Sequence, residues 1–295
     1  MTNTKIISVV LLPYLVKILF IRINQLVTKD RKFISYLVGT SETTRASSLN
    51  NKDNLFNEWL SGLIDGNGSL LISKKGYVSC EIIMGLKDEY ALRYIQNKLG
   101  GSIKLRSGAK ALRYRLHHKQ GMLNLINRIN GKIRHTTRMK QLNIICSKMC
   151  IDFKYPDKLH SKHGWFSGFF DAEGSISLSM KGVNAIPQLT INVTNKLLID
   201  VSYFKEILGG NIYFDQGQNG HYKWSIQRRE DILFFLNYIS FCPSRSAKSK
   251  RLLLINGYYE LKDIKAYKAE ENSAIWKAWN KFIEKWNNRD DDIVH

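Results

Sequence analysis

Acidic residues are scarce in this chain of 295: 25 Asp and Glu stand against 45 Lys and Arg, leaving a formal charge of +20 at pH 7. A surface so biased expects a polyanion as its partner, with nucleic acid the leading candidate. Cysteine is also sparse. Cys80, Cys146, Cys150 and Cys242 show no paired C-x-x-C spacing and no His cluster at zinc distance, so they are expected as reduced core residues. The seven histidines are scattered, and adjacent His117 and His118 are assigned to a strand or its nucleic-acid face rather than to a metal. No Ser-His-Asp or Cys-His arrangement is present to supply a nucleophile. Long apolar runs are lacking too. The stretch from Ile6 to Ile23 is broken by Pro13 and Lys17 and is too interrupted for a membrane span. It remains open as an organelle-targeting leader, a weak membrane anchor or a segment fused from an upstream coding sequence.

What the chain does have is a repeat. Leu60 to Gly68 reads L-S-G-L-I-D-G-N-G, and Phe166 to Gly174 reads F-S-G-F-F-D-A-E-G, so the pattern recurs 106 positions on, from Gly62 to Gly168. Each copy is apolar until a carboxylate or amide arrives and Gly follows, as a packed helix ends while presenting a polar group. The likeness extends further: Tyr94 to Ile103 (Y-I-Q-N-K-L-G-G-S-I) matches Tyr203 to Ile212 (Y-F-K-E-I-L-G-G-N-I). Two units therefore share one design. Each reads as a helix ending in the motif, two strands, a helix, a Gly-Gly turn, two strands and a helix, which is an α+β arrangement with antiparallel sheets. The boundaries fall at 1–54 for the leader and a polar linker beginning at Ser41, 55–155 and 156–260 for the repeats, and 261–295 for a tail. In that tail Trp276, Trp279 and Trp286 sit on a short amphipathic helix expected to pack on the body.

With 44% apolar residues each unit can bury a core. Basic and aromatic side chains alternate along the expected strands, as in Lys104, Arg106, Arg113, Tyr114 and Arg115, or Tyr213, Tyr222, Lys223, Trp224 and Arg228. A sheet with one packed face and one wet, basic face suits a DNA groove.

The duplicated motif, with the same hairpin and Leu-Gly-Gly element after each copy, resembles the LAGLIDADG homing endonucleases of the monomeric two-motif type. The resemblance covers about Phe56 to Glu260. It implies an αββαββα-like unit repeated about a pseudo-twofold axis, with the motif helices packed against each other through Ser61-Gly62 and Ser167-Gly168. It implies Mg2+-dependent phosphodiester hydrolysis, with the metal-binding acid at the eighth motif position. That is Glu173 in the second copy and Asn67 in the first, where an amide oxygen can ligate but brings no negative charge and accepts no proton. Asp65 and Asp171 are expected to support the helix ends or the neighbouring unit. The family's basic active-site residue falls on Arg138 in the first unit and Lys248 in the second. A polar residue near the end of the second strand falls on Asn195, or alternatively Gln188, with Leu86 as its counterpart in the first unit.

Candidates for DNA contact in the first unit are Lys74, Lys75, Arg106, Arg113 and Arg115. Those in the second are Lys181, Gln216, Gln218, Lys223, Gln227 and Arg228. Arg and Lys suit guanine edges and phosphates, Asn and Gln suit adenine. The resemblance implies a monomer acting on a long, imperfectly symmetric double-stranded DNA target to promote intron homing. An RNA maturase assisting splicing of its own intron, or a nicking enzyme working through Glu173 alone, is the alternative that Asn67 keeps open. The expected compartment is the mitochondrion, with the plastid second.

Overall fold

The computed structural model describes residues 42–182, 185–217 and 220–287, so most of the apolar leader and Gln218 lie outside the described residues. The described chain sorts into two compact units. One holds residues 48–179 and 188–252, and with them both motif copies and both sheets. The other holds 42–47, 180–182, 185–187 and 253–287. No helix among the described residues is long and apolar enough to cross a membrane.

The first repeat runs α1 (Glu42–Asn67), β1 (Gly68–Ile72), β2 (Val78–Gly85), α2 (Glu89–Leu99), β3 (Ser102–Leu105), β4 (Ala111–Leu116), α3 (Lys119–Ile129) and α4 (Thr136–Lys148). The second runs α5 (Trp165–Glu173), β5 (Gly174–Ser179), β6 (Gln188–Asn195), α6 (Leu198–Leu208), β7 (Asn211–Asp215), β8 (His221–Ile226), α7 (Arg229–Phe241) and α8 (Lys248–Asp263). Each repeat forms a four-stranded antiparallel sheet, in the orders β1-β2-β4-β3 and β5-β6-β8-β7. The run from Ser41 to Asn54 read as a linker is instead helical from Glu42 onward, continuous with the motif helix. The element order expected from sequence leaves out α4 and α8, which follow short connections with no strong apolar period, although the boundaries 55–155 and 156–260 take in the first and most of the second.

Alternation fixes which face of each sheet is buried. Along β4, Leu112, Tyr114 and Leu116 point into the core while Arg113 and Arg115 point out. Along β6, Leu189, Ile191 and Val193 are buried, and Gln188, Thr190, Asn192 and Thr194 occupy the outer positions. The Gly-Gly turns need their glycines: φ is +76° and +90° at Gly100 and Gly101, and +73° and +81° at Gly209 and Gly210. The two turns are tied to their sheets alike. Tyr114 donates its hydroxyl to the Gly100 carbonyl at 2.9 Å, and Trp224 donates its indole N–H to the Gly209 carbonyl at 2.7 Å.

Three cysteines behave as expected and one does not. Cys80, Cys146 and Cys242 are buried thiols, whereas Cys150 is exposed just past α4 with φ +55°. In the smaller unit, α9 (Ala274–Asn287) is the amphipathic tail helix. Trp279, Phe282 and Trp286 are its buried residues, and its rings meet Tyr258 and Tyr267 of the same unit. Trp276 is only half-buried.

Candidate active site at the motif-helix junction

The two motif helices touch through their backbones. A methyl group at Gly62 would overlap the Trp165 carbonyl and lie 2.7 Å from the Phe169 amide nitrogen, and one at Gly168 would overlap the Trp59 carbonyl and lie 2.8 Å from the Leu63 amide. One turn later, a methyl at Gly66 would overlap Ala172 and come 3.1 Å from Glu173 Cγ. Small residues therefore bring the C-terminal ends of α1 and α5 together, carrying Asn67 and Glu173 with them.

A crossed hydrogen-bond pattern holds that junction. Asp171 accepts the indole N–H of Trp59 at 2.8 Å, and Asp65 accepts that of Trp165 at 2.7 Å, each from the opposite repeat. Each carboxylate also takes a backbone amide of its own repeat: Arg134 donates to Asp65 at 2.8 Å and Arg245 to Asp171 at 2.7 Å. Ser244 and Ser246 hydroxyls add donors to Asp171. Both aspartates thus brace the two repeats against each other. Complete burial pushes Asp65 up to about 7, against the hydrogen bonds from Trp165 and Arg134. The Arg245 guanidinium lies over two rings, 4.4 Å from the Tyr94 centre and 5.1 Å from that of Trp59.

Glu173 is half-buried at the end of α5. Burial raises its carboxyl pKa, and the charges of Lys248 and Arg138 oppose the rise. Those two cations come from different repeats, so the structure gathers Glu173, Lys248 and Arg138 around one junction. Lys248 is deeply placed, with its ammonium donating to the Asp171 carbonyl oxygen. Burial lowers its pKa while Asp171, Asp88 and Glu173 counter this. Arg138 donates to Gln141 at 3.3 Å, and its Nε is buried without a protein partner.

Gln188 and Asn195 stand at opposite ends of β6. Gln188 is exposed and donates to Gln227 at 2.7 Å. The register pairs Val193 with Gly174 and Gln188 with Ser179, which sets Gln188 about 17 Å along the strand from the motif end. Asn195 closes β6 and accepts the Lys196 amide at 2.7 Å. Leu86, beyond β2, is 43% exposed.

On the sheets, Arg113 and Arg115 face outward beside Lys104, Ser102 and His117 around a shallow depression of about 150 Å³, and Glu81 holds Arg115 at 3.3 Å. Lys74 and Lys75 occupy the exposed β1–β2 turn, and Arg106 lies exposed beyond β3. In the second repeat, Gln216, Lys223 and Gln227 line a groove of about 390 Å³ with Thr190, Asn192 and Tyr213. Arg228 is exposed at the residue before α7 and makes no side-chain capping bond to it. Lys181 belongs to the smaller unit.

Sequence reasoning passed over Trp59, Trp165, Arg134 and Arg245. A signal for the tryptophans was present, since each stands six residues before its motif aspartate.

The duplicated motif, the shared sheet order and the backbone contact of the two helices make one architecture, and the model of the LAGLIDADG endonuclease family matches residues 60–149 and 166–259. The chain belongs to the LAGLIDADG endonuclease family. It is 54% identical over 248 residues to the intron-encoded RNA maturase bI4 of Saccharomyces cerevisiae, a match covering 83% of this chain and 39% of that protein. It is 46% identical over 298 residues to a protein of Debaryomyces hansenii named "Probable intron-encoded endonuclease aI2", covering 88% of this chain and 45% of that one. The chain thus spans less than half the length of these relatives. Its fold is shared with the LAGLIDADG meganuclease I-AabMI, solved bound to uncleaved DNA, at a TM-score of 0.60 and 19% identity, over 77% of this chain and 98% of that one.

Proposed function

We propose that this LAGLIDADG protein is a site-specific DNA endonuclease of intron homing, acting as a monomer in the mitochondrion on a long, imperfectly symmetric duplex. The observation that carries the reading is the convergence of Glu173, Lys248 and Arg138 on the motif-helix junction. The donor set fits a divalent cation of the Mg2+ kind: one carboxylate from Glu173 and one amide oxygen from Asn67, a sparse protein shell that phosphate and water oxygens of the substrate complex complete. Such a cation, when bound, polarises the scissile phosphate and acidifies a water.

The chain's own groups do the rest. Glu173 supplies the negative ligand, and the charges of Lys248 and Arg138 oppose the rise in its pKa that burial causes. Lys248 has one of its three donors committed to the Asp171 carbonyl, leaving the others for phosphate or solvent. Arg138 brings an unspent Nε donor and a delocalised charge suited to phosphate. Asp65 and Asp171 hold the two helix ends in register. The outward arginines and lysines of the first sheet take phosphates or guanines, and the amides of the second suit adenine.

A second reading, an RNA maturase on the same scaffold, is favoured by the 54% identity to a yeast RNA maturase and by the amide at Asn67. An enzyme cutting two strands gains from two acids, whereas RNA binding needs neither. The test is Mg2+-dependent cleavage of a plasmid carrying the joined exons that flank the coding intron. The natural protein cuts, and Glu173→Gln loses activity by ~100-fold or more while binding the same duplex. Intact circles despite tight duplex binding, with retained affinity for the intron RNA, decide for the maturase.

A further inference from the structure

The N-terminal amides of a helix lack intrahelical partners and favour a carboxylate. At α4 and α8, the helices that bear Arg138 and Lys248, that carboxylate comes from the opposite repeat. The Ala247 amide, immediately before Lys248, donates to Asp88 at 2.7 Å, and Asp88 lies in the first repeat at the start of α2. The Thr136 amide, which opens α4, donates to Asp200 at 3.2 Å, and Asp200 lies in the first turn of α6 in the second repeat. The next amide is capped locally in both cases, Lys248 by the Ser246 hydroxyl at 3.4 Å and Thr137 by His135 Nδ1 at 3.2 Å. His135 adds a contact of 3.2 Å from Nε2 to Asp200. An Nδ1 that accepts must be unprotonated, so the ring hydrogen sits on Nε2 and faces the carboxylate.

We propose that Asp88 and Asp200 are positioning residues that act crosswise: each fixes the helix delivering the other repeat's basic residue, Lys248 or Arg138, to the scissile phosphates. Neither half-site's cation is then set by its own repeat alone, and both are in place only while the repeats stay docked. The motif aspartates differ in kind, because they bind backbone of their own repeat. The inference rests on the endonuclease reading for its catalytic consequence, while its geometric content stands apart from it.

The experiment compares Asp88→Ala, Asp88→Asn and the exposed neighbour Glu89→Gln in two assays on the full chain. The first is single-turnover cleavage at saturating protein of a duplex carrying the joined exons. The second is acetylation of Lys248 followed by mass spectrometry, which needs no cleavage. Asp88→Ala is expected to slow cleavage about 30-fold with the duplex Kd within about twofold, inside the ~100-fold cost of a 1 Å misplacement. Lys248 labelling should rise several-fold relative to the other lysines. Asp88→Asn keeps an acceptor for the Ala247 amide and is expected to restore most of both, and Glu89→Gln to change neither. Faster labelling in Asp88→Ala together with a wild type that fails to cut would uphold the positioning and overturn the endonuclease reading. Unchanged labelling in Asp88→Ala, or a rate loss matched by the loss in Kd, overturns the positioning. Should Asp88→Ala not fold, Asp200→Ala against Asp200→Asn reads the same contrast at Arg138 through cleavage rate and Kd.

Discussion

Asn67 is where the two motif helices cease to be equivalent. Its partner position holds a carboxylate between two cations, while the amide at 67 offers an oxygen without charge. Asn67→Asp is therefore expected to lower the Mg2+ concentration for half-maximal cleavage, by about tenfold if one added ligand charge contributes ~1.4 kcal/mol. A cation titration of cleavage rate measures it. A second prediction concerns His163, whose Nδ1 accepts the Trp165 amide at 3.1 Å at the head of α5. Burial first, then the charges of Arg134, His160 and Lys132, press its pKa down to about 3. A histidine so depressed stabilises the fold above its unfolded value near 6.5 and loses that contribution as pH falls toward 3. Asp65, raised to about 7, works in the opposite sense over part of that range. The difference between wild type and His163→Gln isolates the imidazole: melting temperature should fall less steeply from pH 7 to 4.5 in the variant. These residues differ in how legible they were. Glu173 and Asn67 could be placed from the repeat because motif position determines them. His135, His163, Asp88 and Asp200 could not, because their partners lie between 2 and 159 residues away and only the docked repeats bring the distant ones together.

Among the elements, the contact of α1 with α5 carries the most. Gly62→Ala or Gly168→Ala would drive a methyl into backbone, which cannot rotate aside as a side chain can. Each is expected to cost at least ~2 kcal/mol, in the range of overpacking, and to cost more in the double variant than either alone. Urea denaturation gives the values. Ser61-Gly62 and Ser167-Gly168 were readable as a close contact from the motif itself. The helical course of 42–54 was not, since its Ser, Thr and Asn content favours loops locally and the helix is continuous with an apolar segment further on. The extra helices α4 and α8 escaped for a related reason: α4 buries only Leu142, Ile145 and Cys146, too few to make a clear period. The strands were more legible because alternation of apolar and basic residues declared both their faces.

At the scale of the whole molecule, the two sheets share topology but differ in chemistry. The outer face of the first carries Lys104, Arg113 and Arg115. That of the second carries mainly hydroxyls and amides, with Lys223 held 3.5 Å from Asp215. Counterion release should therefore concentrate in the first repeat. Arg113→Ala is expected to reduce the slope of log Kd against log salt by about 1, whereas Gln227→Ala leaves the slope unchanged and alters base preference in its half-site. Anisotropy titrations at four salt concentrations separate the two. The charge excess was visible in composition, but its uneven division between faces needed the register.

The measurement that bears most directly on the account is strand-resolved cleavage of an end-labelled duplex carrying the joined exons, in Mg2+, with wild type, Glu173→Gln and Asn67→Asp side by side. Unequal strand rates are expected in wild type, with cutting lost and binding retained in Glu173→Gln, and rates drawn together in Asn67→Asp. Cutting by Glu173→Gln at the wild-type rate, or a wild type that binds the duplex and leaves both strands intact, would contradict it.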